Sequence, residues 1–305
     1  MPNVTSRLSV VASALSHDPR AAPPRSREAG FSGLLFDASS SALNIPDLSS
    51  SGRREFRQVL SAQDQQLVGL RWDAGPKGLT VGADVDQLVS RLDRVMEAAA
   101  GLMSPLVCAD LGPLPEPPPT EKPQPKLTSD QAGLIVLPTA ADIAKSRQPQ
   151  PSPAAHRPPD PAFVSQVDGA LAELGRRADR YGVTIAFRSE LASYAALERA
   201  LRSAGCPWFG VDLDPVSVLR DEWDLDELFS RLGPLVRHVR ARDAVVGADR
   251  RTRPAVVGNG SVSWGQLLSN LESLGYAGWI TVDPTELPDR VAAAVAARKH
   301  ILTQA

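Results

Sequence analysis

The chain has 305 residues, of which 43% are hydrophobic and 22% charged, and its formal net charge is −2. That composition belongs to a globular protein, and the near-neutral charge removes the broad electrostatic case for a nucleic-acid partner. No apolar run reaches the ~18 residues of a membrane span, and two cysteines, Cys108 and Cys206, make no disulfide framework.

Apolar runs of strand length alternate with helical patterns along the chain. Residues 7–13 read as a first strand rather than a secretory leader, because the run is short and carries two serines; the cytoplasm is the expected location. A helix over 18–29 is the weakest element, since Pro23 and Pro24 interrupt it. Strands follow at 33–37 and 65–73, with a helix at 52–63 between them. An amphipathic helix spans 84–102, with Leu88, Val89, Leu92, Val95 and Met96 on one face. A fourth strand covers 104–112.

The proline distribution then becomes uneven. Of 27 prolines, 14 fall between Pro113 and Pro161. Proline is excluded from helix interiors and central strands, so this stretch is expected to be mainly extended loop. A short strand at 133–137 and one or two helical turns at 140–147 are the only regular structure expected in it. Past it the alternation resumes. Helices are expected at 164–181, 191–205, 224–233, within 261–278 and at 287–302. Strands are expected at 182–189, 208–214, 236–243 and 278–283.

Four βα units before the proline-rich stretch and four after it imply a parallel sheet covered by helices. Eight units in about 256 residues match a (β/α)8 TIM barrel. The expected organisation is therefore a single barrel domain over 1–305, with residues 113–161 inserted as the loop after strand four. An open doubly wound sheet is the alternative, but it would lack the glycine fingerprint of dinucleotide binding. In a barrel the strand C-termini share one mouth. Here they carry Asp37, Arg71, Trp72, Asp73, Asp110, Arg188, Glu190, Asp214, Arg240, Arg242, Asp243 and Asp283. Buried charges must be paired, so a mixed Arg and Asp rim predicts a salt-bridge network or a polar ligand site. His17, after the first strand, and Trp72 are further candidates for ligand contact, and the basic stretch at 247–254 reads as an exposed loop.

The segments YGVTIAF (181–187), GVDLDP (210–215), RHVRARDA (237–244) and VGNGSVSWGQLLSNLESLGYAGWITVD (257–283) resemble the xylose isomerase-like TIM barrels, the sugar phosphate isomerase/epimerase superfamily. REAGFSGLLFD (27–37) extends the likeness to the first half. The resemblance implies sugar isomerisation or epimerisation with one divalent metal, held by Glu, Asp, His and Glu at the ends of strands five to eight. Carried over by position, the strand-five Glu falls at Arg188, the strand-six Asp at Asp214, the strand-seven His at Arg240 and the strand-eight Glu at Asp283. The histidine three residues after the strand-six Asp falls at Ser217. A two-residue slip would bring Glu190 to the strand-five position.

Two of the four ligand positions are thus guanidinium groups, which have no usable lone pair. A divalent ion about 5 Å from one arginine is opposed by roughly 7 kcal/mol at an effective dielectric of 20. No metal and no cofactor are therefore expected. Two readings remain open. In the first, the mouth binds a small anionic or polyhydroxylated ligand such as a sugar or sugar phosphate. Arg188, Arg240, Arg71, Asp243, His238, Glu190, Trp72 and His17 would contact it, with Asp214 and Asp283 as acid and base. In the second, pairs Arg188–Asp214 and Arg240–Asp283 fill the old metal place in a catalytically inactive binding or scaffold protein.

Overall fold

The computed structural model describes residue 5 and residues 7–117, 159–188, 190–248 and 251–304. Eight parallel strands close into a barrel: β1 (Leu8–Val11), β2 (Gly33–Asp37), β3 (Gln66–Asp73), β4 (Leu106–Asp110), β5 (Thr184–Arg188), β6 (Phe209–Leu213), β7 (Val236–Ala241) and β10 (Ile280–Val282). Each pairs with its sequence neighbour, and β1 closes the ring against β10. A separate two-stranded hairpin, β8 (Asp243–Val246) and β9 (Thr252–Ala255), stands between β7 and the last strand.

Most helices lie where periodicity places them, and two short ones, at 12–15 and 215–220, are additional. The full set is α1 (Ala12–Leu15), α2 (Ala22–Glu28), α3 (Ser50–Ser61), α4 (Val85–Gly101), α5 (Pro161–Tyr181), α6 (Tyr194–Ala204), α7 (Pro215–Arg220), α8 (Leu225–Leu232), α9 (Trp264–Ser273) and α10 (Arg290–Gln304). Their apolar faces and the outward residues of the strands form the main core, for example Leu34, Leu70, Val107, Ile185 and Val239. Caps set several boundaries. The carboxylates of Asp84, Asp160, Asp214 and Asp224 each accept a backbone N–H at a helix start, satisfying donors that the helix itself leaves unpaired. Gly182 and Gly205 end α5 and α6 in the left-handed region.

Three expectations need correction. Pro23 and Pro24 do not break α2; they occupy its first turn, where the missing N–H groups would have had no intrahelical partner. The strand expected at 236–243 ends at Ala241, and Asp243 begins the hairpin instead. The stretch at 247–254 is therefore not a plain loop, since Thr252 to Ala255 pair with Asp243 to Val246. Within the proline-rich stretch, residues 118–158 lie outside the described residues, and so do the strand expected at 133–137 and the turns at 140–147. What frames them is built firmly. Leu114 is buried, Glu116 accepts a hydrogen bond from Ser193 Oγ at 2.6 Å, and Pro161 opens α5.

The register fixes what the barrel encloses. Side chains two apart on a strand share a face, and the paired positions carry one face around the ring. Leu35 sits beside Gly69, Arg71 beside Cys108, Cys108 beside Ala186 and Ala186 beside Gly210. Asp212 follows beside His238, Arg240 beside Thr281, and Thr281 beside Ser9. One half of this interior is apolar, with Val11, Leu35, Val68, Leu106, Cys108 and Ala186 in contact. The other half, from β6 through β10 to β1, is polar. All of it lies beneath the C-terminal ends of the strands.

Candidate functional site

The polar half of the interior is one continuous hydrogen-bonded chain. Ser9 Oγ and Thr281 Oγ1 are 2.7 Å apart, and Thr281 Oγ1 is 2.6 Å from His238 Nε2. His238 Nδ1 donates to Asp212 Oδ1 at 2.6 Å, because an ionised carboxylate only accepts. Asp212 Oδ2 accepts from Arg240 Nε at 2.7 Å, and Arg240 Nη1 donates to Asp283 Oδ2 at 2.9 Å. The same Asp283 oxygen accepts from Arg71 Nη1 at 2.9 Å, and Arg71 Nε donates to Asp37 Oδ1 at 2.6 Å. Ser13 Oγ ends the chain on Asp37 Oδ2 at 2.7 Å.

Arg240 is 1% exposed and Asp212 fully buried. Charges at that depth survive only when compensated. Burial disfavours the ionised form of Asp212, but Arg240 and His238 outweigh it and hold the carboxyl far below the usual range. Asp283 behaves alike, with burial overcome by Arg71 and then Arg240. Arg240 in turn is buried, yet Asp212 and Asp283 raise its already high proton affinity. This side of the mouth is fixed in charge and closed in geometry.

The opposite side is not. Asp110, at the end of β4, accepts only the Gly112 N–H through Oδ1, at 2.8 Å. Among the described residues its Oδ2 is buried without a hydrogen-bond partner, and so is Arg188 Nε, 3.8 Å away. Burial raises the Asp110 carboxyl above its ordinary value, and the Gly112 N–H and Arg188 offset this only in part. Burial and the neighbouring Arg240 charge lower Arg188. The Arg188 guanidinium leans instead on Glu190. Beside this loose pair opens a cavity of about 390 Å³, lined by Arg71, Arg91, Arg188 and Arg240 and by the carboxylates of Asp37, Asp73 and Asp110, with Ser39 and Trp72.

The sequence-predicted residues divide accordingly. Arg188, Arg240, Arg71 and Trp72 reach the cavity, and Asp283 stands behind Arg240. His238 shares the inward face with Arg240 but lies one layer deeper, where both ring nitrogens are engaged. Asp214 does not meet Arg188. It caps α7 and accepts from Arg242 Nη1 at 2.6 Å, so of the two expected ion pairs only Arg240–Asp283 forms. Asp243 organises the following loop: its carboxylate accepts from the N–H groups of Ala244, Gly258, Gly260 and Val262 and from Trp264 Nε1. A Cβ at position 260 would lie 2.1 Å from that carboxylate, so only glycine fits there. Glu190 lines a neighbouring cavity, and His17 is exposed and outside the mouth cavity.

Two residues of the site were not singled out from sequence. Asp212 lies two positions before Asp214 and so shares its inward face. The signal was the alternation Gly210, Asp212, Asp214 against outward Phe209, Val211 and Leu213. Asp110 stood among the strand-end charges, but its lack of a partner depends on packing.

The donor set does not suit a divalent ion. Where the resemblance places a strand-seven ligand, the Arg240 guanidinium lies between Asp212 and Asp283, and Asp214, at the strand-six position, is held by Arg242. Beneath it, Cys108, Asp212 and His238 offer ligand atoms within 4.8 Å of one another. However, Asp212 and both His238 nitrogens are already engaged, and burial followed by the Asp212 charge pushes the Cys108 thiol well up, away from the thiolate a metal needs.

Barrel, register and strand-end residues together define a sugar isomerase/epimerase-like TIM barrel. The family model for the xylose isomerase-like TIM barrel matches residues 24–302, and the chain belongs to that family. Solved structures agree on the fold. A xylose isomerase domain protein from Planctomyces limnophilus has a TM-score of 0.67 at 14% identity, covering 92% of this chain and 90% of that one. D-psicose 3-epimerase with D-tagatose from Clostridium cellulolyticum H10 has a TM-score of 0.69 at 12% identity, covering 97% and 98%. A xylose isomerase-like TIM barrel protein from Mycobacterium smegmatis in complex with magnesium has a TM-score of 0.67 at 14% identity, covering 100% and 98%. No curated protein matches the sequence. No helix among the described residues is long and apolar enough to cross a membrane.

Proposed function

We propose that the barrel mouth binds a small polyhydroxylated carboxylate, a sugar acid, without a divalent metal. The observation that carries this reading is Arg240, a buried guanidinium clamped by Asp212 and Asp283 where the family's resemblance places a metal ligand. That guanidinium fills the ligand position with a cation already compensated by Asp212 and Asp283, which opposes a metal there. Arg188 adds a guanidinium whose Nε has no partner, suited to a carboxylate or a carbonyl oxygen. Asp110 faces the same space with its carboxyl raised by burial, which makes it easier to protonate than an ordinary aspartate. Asp214 and Asp283 fit the acid and base roles less well, because both are saturated by arginine and backbone or hydroxyl donors. The saturated network around Arg240 accords with loss of metal-dependent isomerase chemistry. The open cavity next to it favours a ligand site over a purely structural barrel.

Calorimetry with chelator-treated protein tests the reading. Gluconate and glucuronate should bind, and neutral hexoses and sugar phosphates should bind more weakly. Binding or turnover of a ketose that appears only on adding manganese or magnesium would overturn it.

A further inference from the structure

The last residue of β4 is an aspartate with a glycine two positions on, and together they form a tight turn. The Gly112 N–H donates to Asp110 Oδ1 at 2.8 Å. Gly112 has a φ of +73°, and a Cβ there would lie 2.8 Å from Gly78 Cα, so the turn requires glycine. That contact holds one carboxylate oxygen and thereby sets the direction of the other. Asp110 is 5% exposed, and among the described residues its Oδ2 has no hydrogen-bond partner. A buried acceptor in that state carries a desolvation cost until something meets it.

On the next strand the same condition occurs with the opposite polarity. Arg188 is the register partner of Asp110. Its Nη2 leans on Glu190, which leaves Nε buried and, among the described residues, unpartnered. Arg188 Nε and Asp110 Oδ2 are 3.8 Å apart, beyond the ~3.2 Å limit of a good N–H···O bond. Both residues line the 390 Å³ cavity. The other deep charges of that cavity are engaged elsewhere. Arg240 holds Asp212 and Asp283, and Arg71 holds Asp37 and Asp283. Asp73, beside Asp110 on β3, accepts the Gly75 N–H and is exposed. The cavity therefore presents one free buried donor and one free buried acceptor side by side.

A ligand that completes both must bring an acceptor to Nε and a proton to Oδ2 on neighbouring atoms. A carboxylate alone brings only acceptors and would set its second oxygen against Asp110. We infer that the Asp110–Arg188 pair reads an α-hydroxy carboxylate, so that the preferred ligand is an open-chain aldonic acid rather than a uronic acid. The inference rests on the sugar-acid reading of the cavity. The ligand carboxylate accepts from Arg188 Nε, and the hydroxyl on the adjacent carbon donates to Asp110 Oδ2. In a cyclic uronic acid a ring ether oxygen stands beside the carboxylate, with no proton to give. Asp110 is thus a specificity-determining residue, because a site built to bond a hydroxyl rejects the analogue that leaves its buried acceptor unpaired.

The test is calorimetry on the full chain with gluconate, 2-deoxygluconate, which lacks only the α-hydroxyl, and glucuronate. Gluconate is expected to bind roughly tenfold or more tighter than either, the loss of one hydrogen bond to a charged group. In Asp110→Ala the ratio of gluconate to 2-deoxygluconate affinity should fall to near one. A ratio near one in the unaltered protein, as when a water rather than the ligand hydroxyl bridges the pair, overturns the inference and leaves the sugar-acid site standing. So does a ratio that survives Asp110→Ala, or glucuronate binding as tightly as gluconate. Failure of all three probes to bind overturns the sugar-acid reading, and this inference with it. If Asp110→Ala does not fold, Asp110→Asn takes its place, keeping an oxygen for the Gly112 N–H and turning an uncharged amide to the ligand. The ratio should then fall by roughly threefold or more, the difference between a charged and a neutral hydrogen bond, and an unchanged ratio overturns the role of Asp110.

Discussion

The two sides of the barrel mouth are made of the same residue types and behave oppositely. On the β6, β7 and β10 side, Asp212, Arg240, Asp283 and Arg71 interlock, so that each charge has a partner at 2.9 Å or less. On the β4 and β5 side, Asp110 and Arg188 stand 3.8 Å apart, with an unpartnered atom on each. The difference teaches that charge content at a strand end says little by itself. A saturated pair holds the barrel together, whereas an unsaturated one is available to something else. Substitutions on the first side should therefore cost stability, and those on the second should cost binding.

The largest expected effect is Arg240→Met. It strands two buried carboxylates and should cost about 3–5 kcal/mol. For a domain of this size, that lowers the thermal midpoint by roughly 10 °C or prevents folding. Urea denaturation checks it, and a loss below about 1 kcal/mol would mean that the network is not a stabilising unit.

The same network has a pH signature. Asp212 and Asp283 are held below their ordinary values, so they bind fewer protons folded than unfolded near pH 4. Their contribution is present above the unfolded carboxylate pKa of about 4 and is lost as pH falls further. Where Arg240→Met folds, its stability should decline less between pH 5 and pH 3 than that of the unaltered protein. An equally steep decline would place the acid sensitivity elsewhere.

Arg188→Met is expected to change the unfolding free energy from urea denaturation by less than about 1 kcal/mol, since its main partner, Glu190, is partly solvated. It should weaken gluconate binding by roughly 10- to 100-fold, the loss of one charge-assisted hydrogen-bonded contact. Unchanged affinity would remove Arg188 from the site.

The smallest effect is expected at Asp110. Its folded carboxyl is raised, so ionising it at neutral pH works against folding. Asp110→Asn should stabilise the protein at pH 7 by on the order of 1 kcal/mol, the low end for relieving an unsatisfied buried group. That gain should vanish below pH 4, where aspartate is protonated in either state. A loss of stability at pH 7 would show that the Arg188 contact outweighs burial.

How far the sequence predicts this contrast follows from what periodicity carries. The eight barrel strands span three to eight residues within mainly apolar runs, and helix faces repeat at every turn, so the barrel and most of its helices are legible. The α7 helix spans only six residues, too few for a periodic signal, although the Asp-Pro pair at 214–215 is a start signal. The hairpin strands have four residues each and contain Pro254, which argues against a strand. Partner choice was the least legible. Asp212 and Asp214 both face inward, and which arginine reaches which depends on the shift in register between β6 and β7 at Val211 and Asp212. Arg242 rather than Arg188 takes Asp214, which no strand pattern contains.

The carboxylate of Asp243 has a consequence for how this part of the chain can change over evolutionary time. It grips the segment running from the hairpin to α9 almost entirely through main-chain N–H groups, and a main-chain N–H is the same in nearly every residue. Apart from Gly258, whose Cβ would lie 2.4 Å from His300 Nδ1, and Gly260, the loop can therefore exchange side chains without losing its anchor. The hairpin in front of it can change its exposed side chains, such as those at 245, 246 and 253, while the barrel strand behind it stays in place.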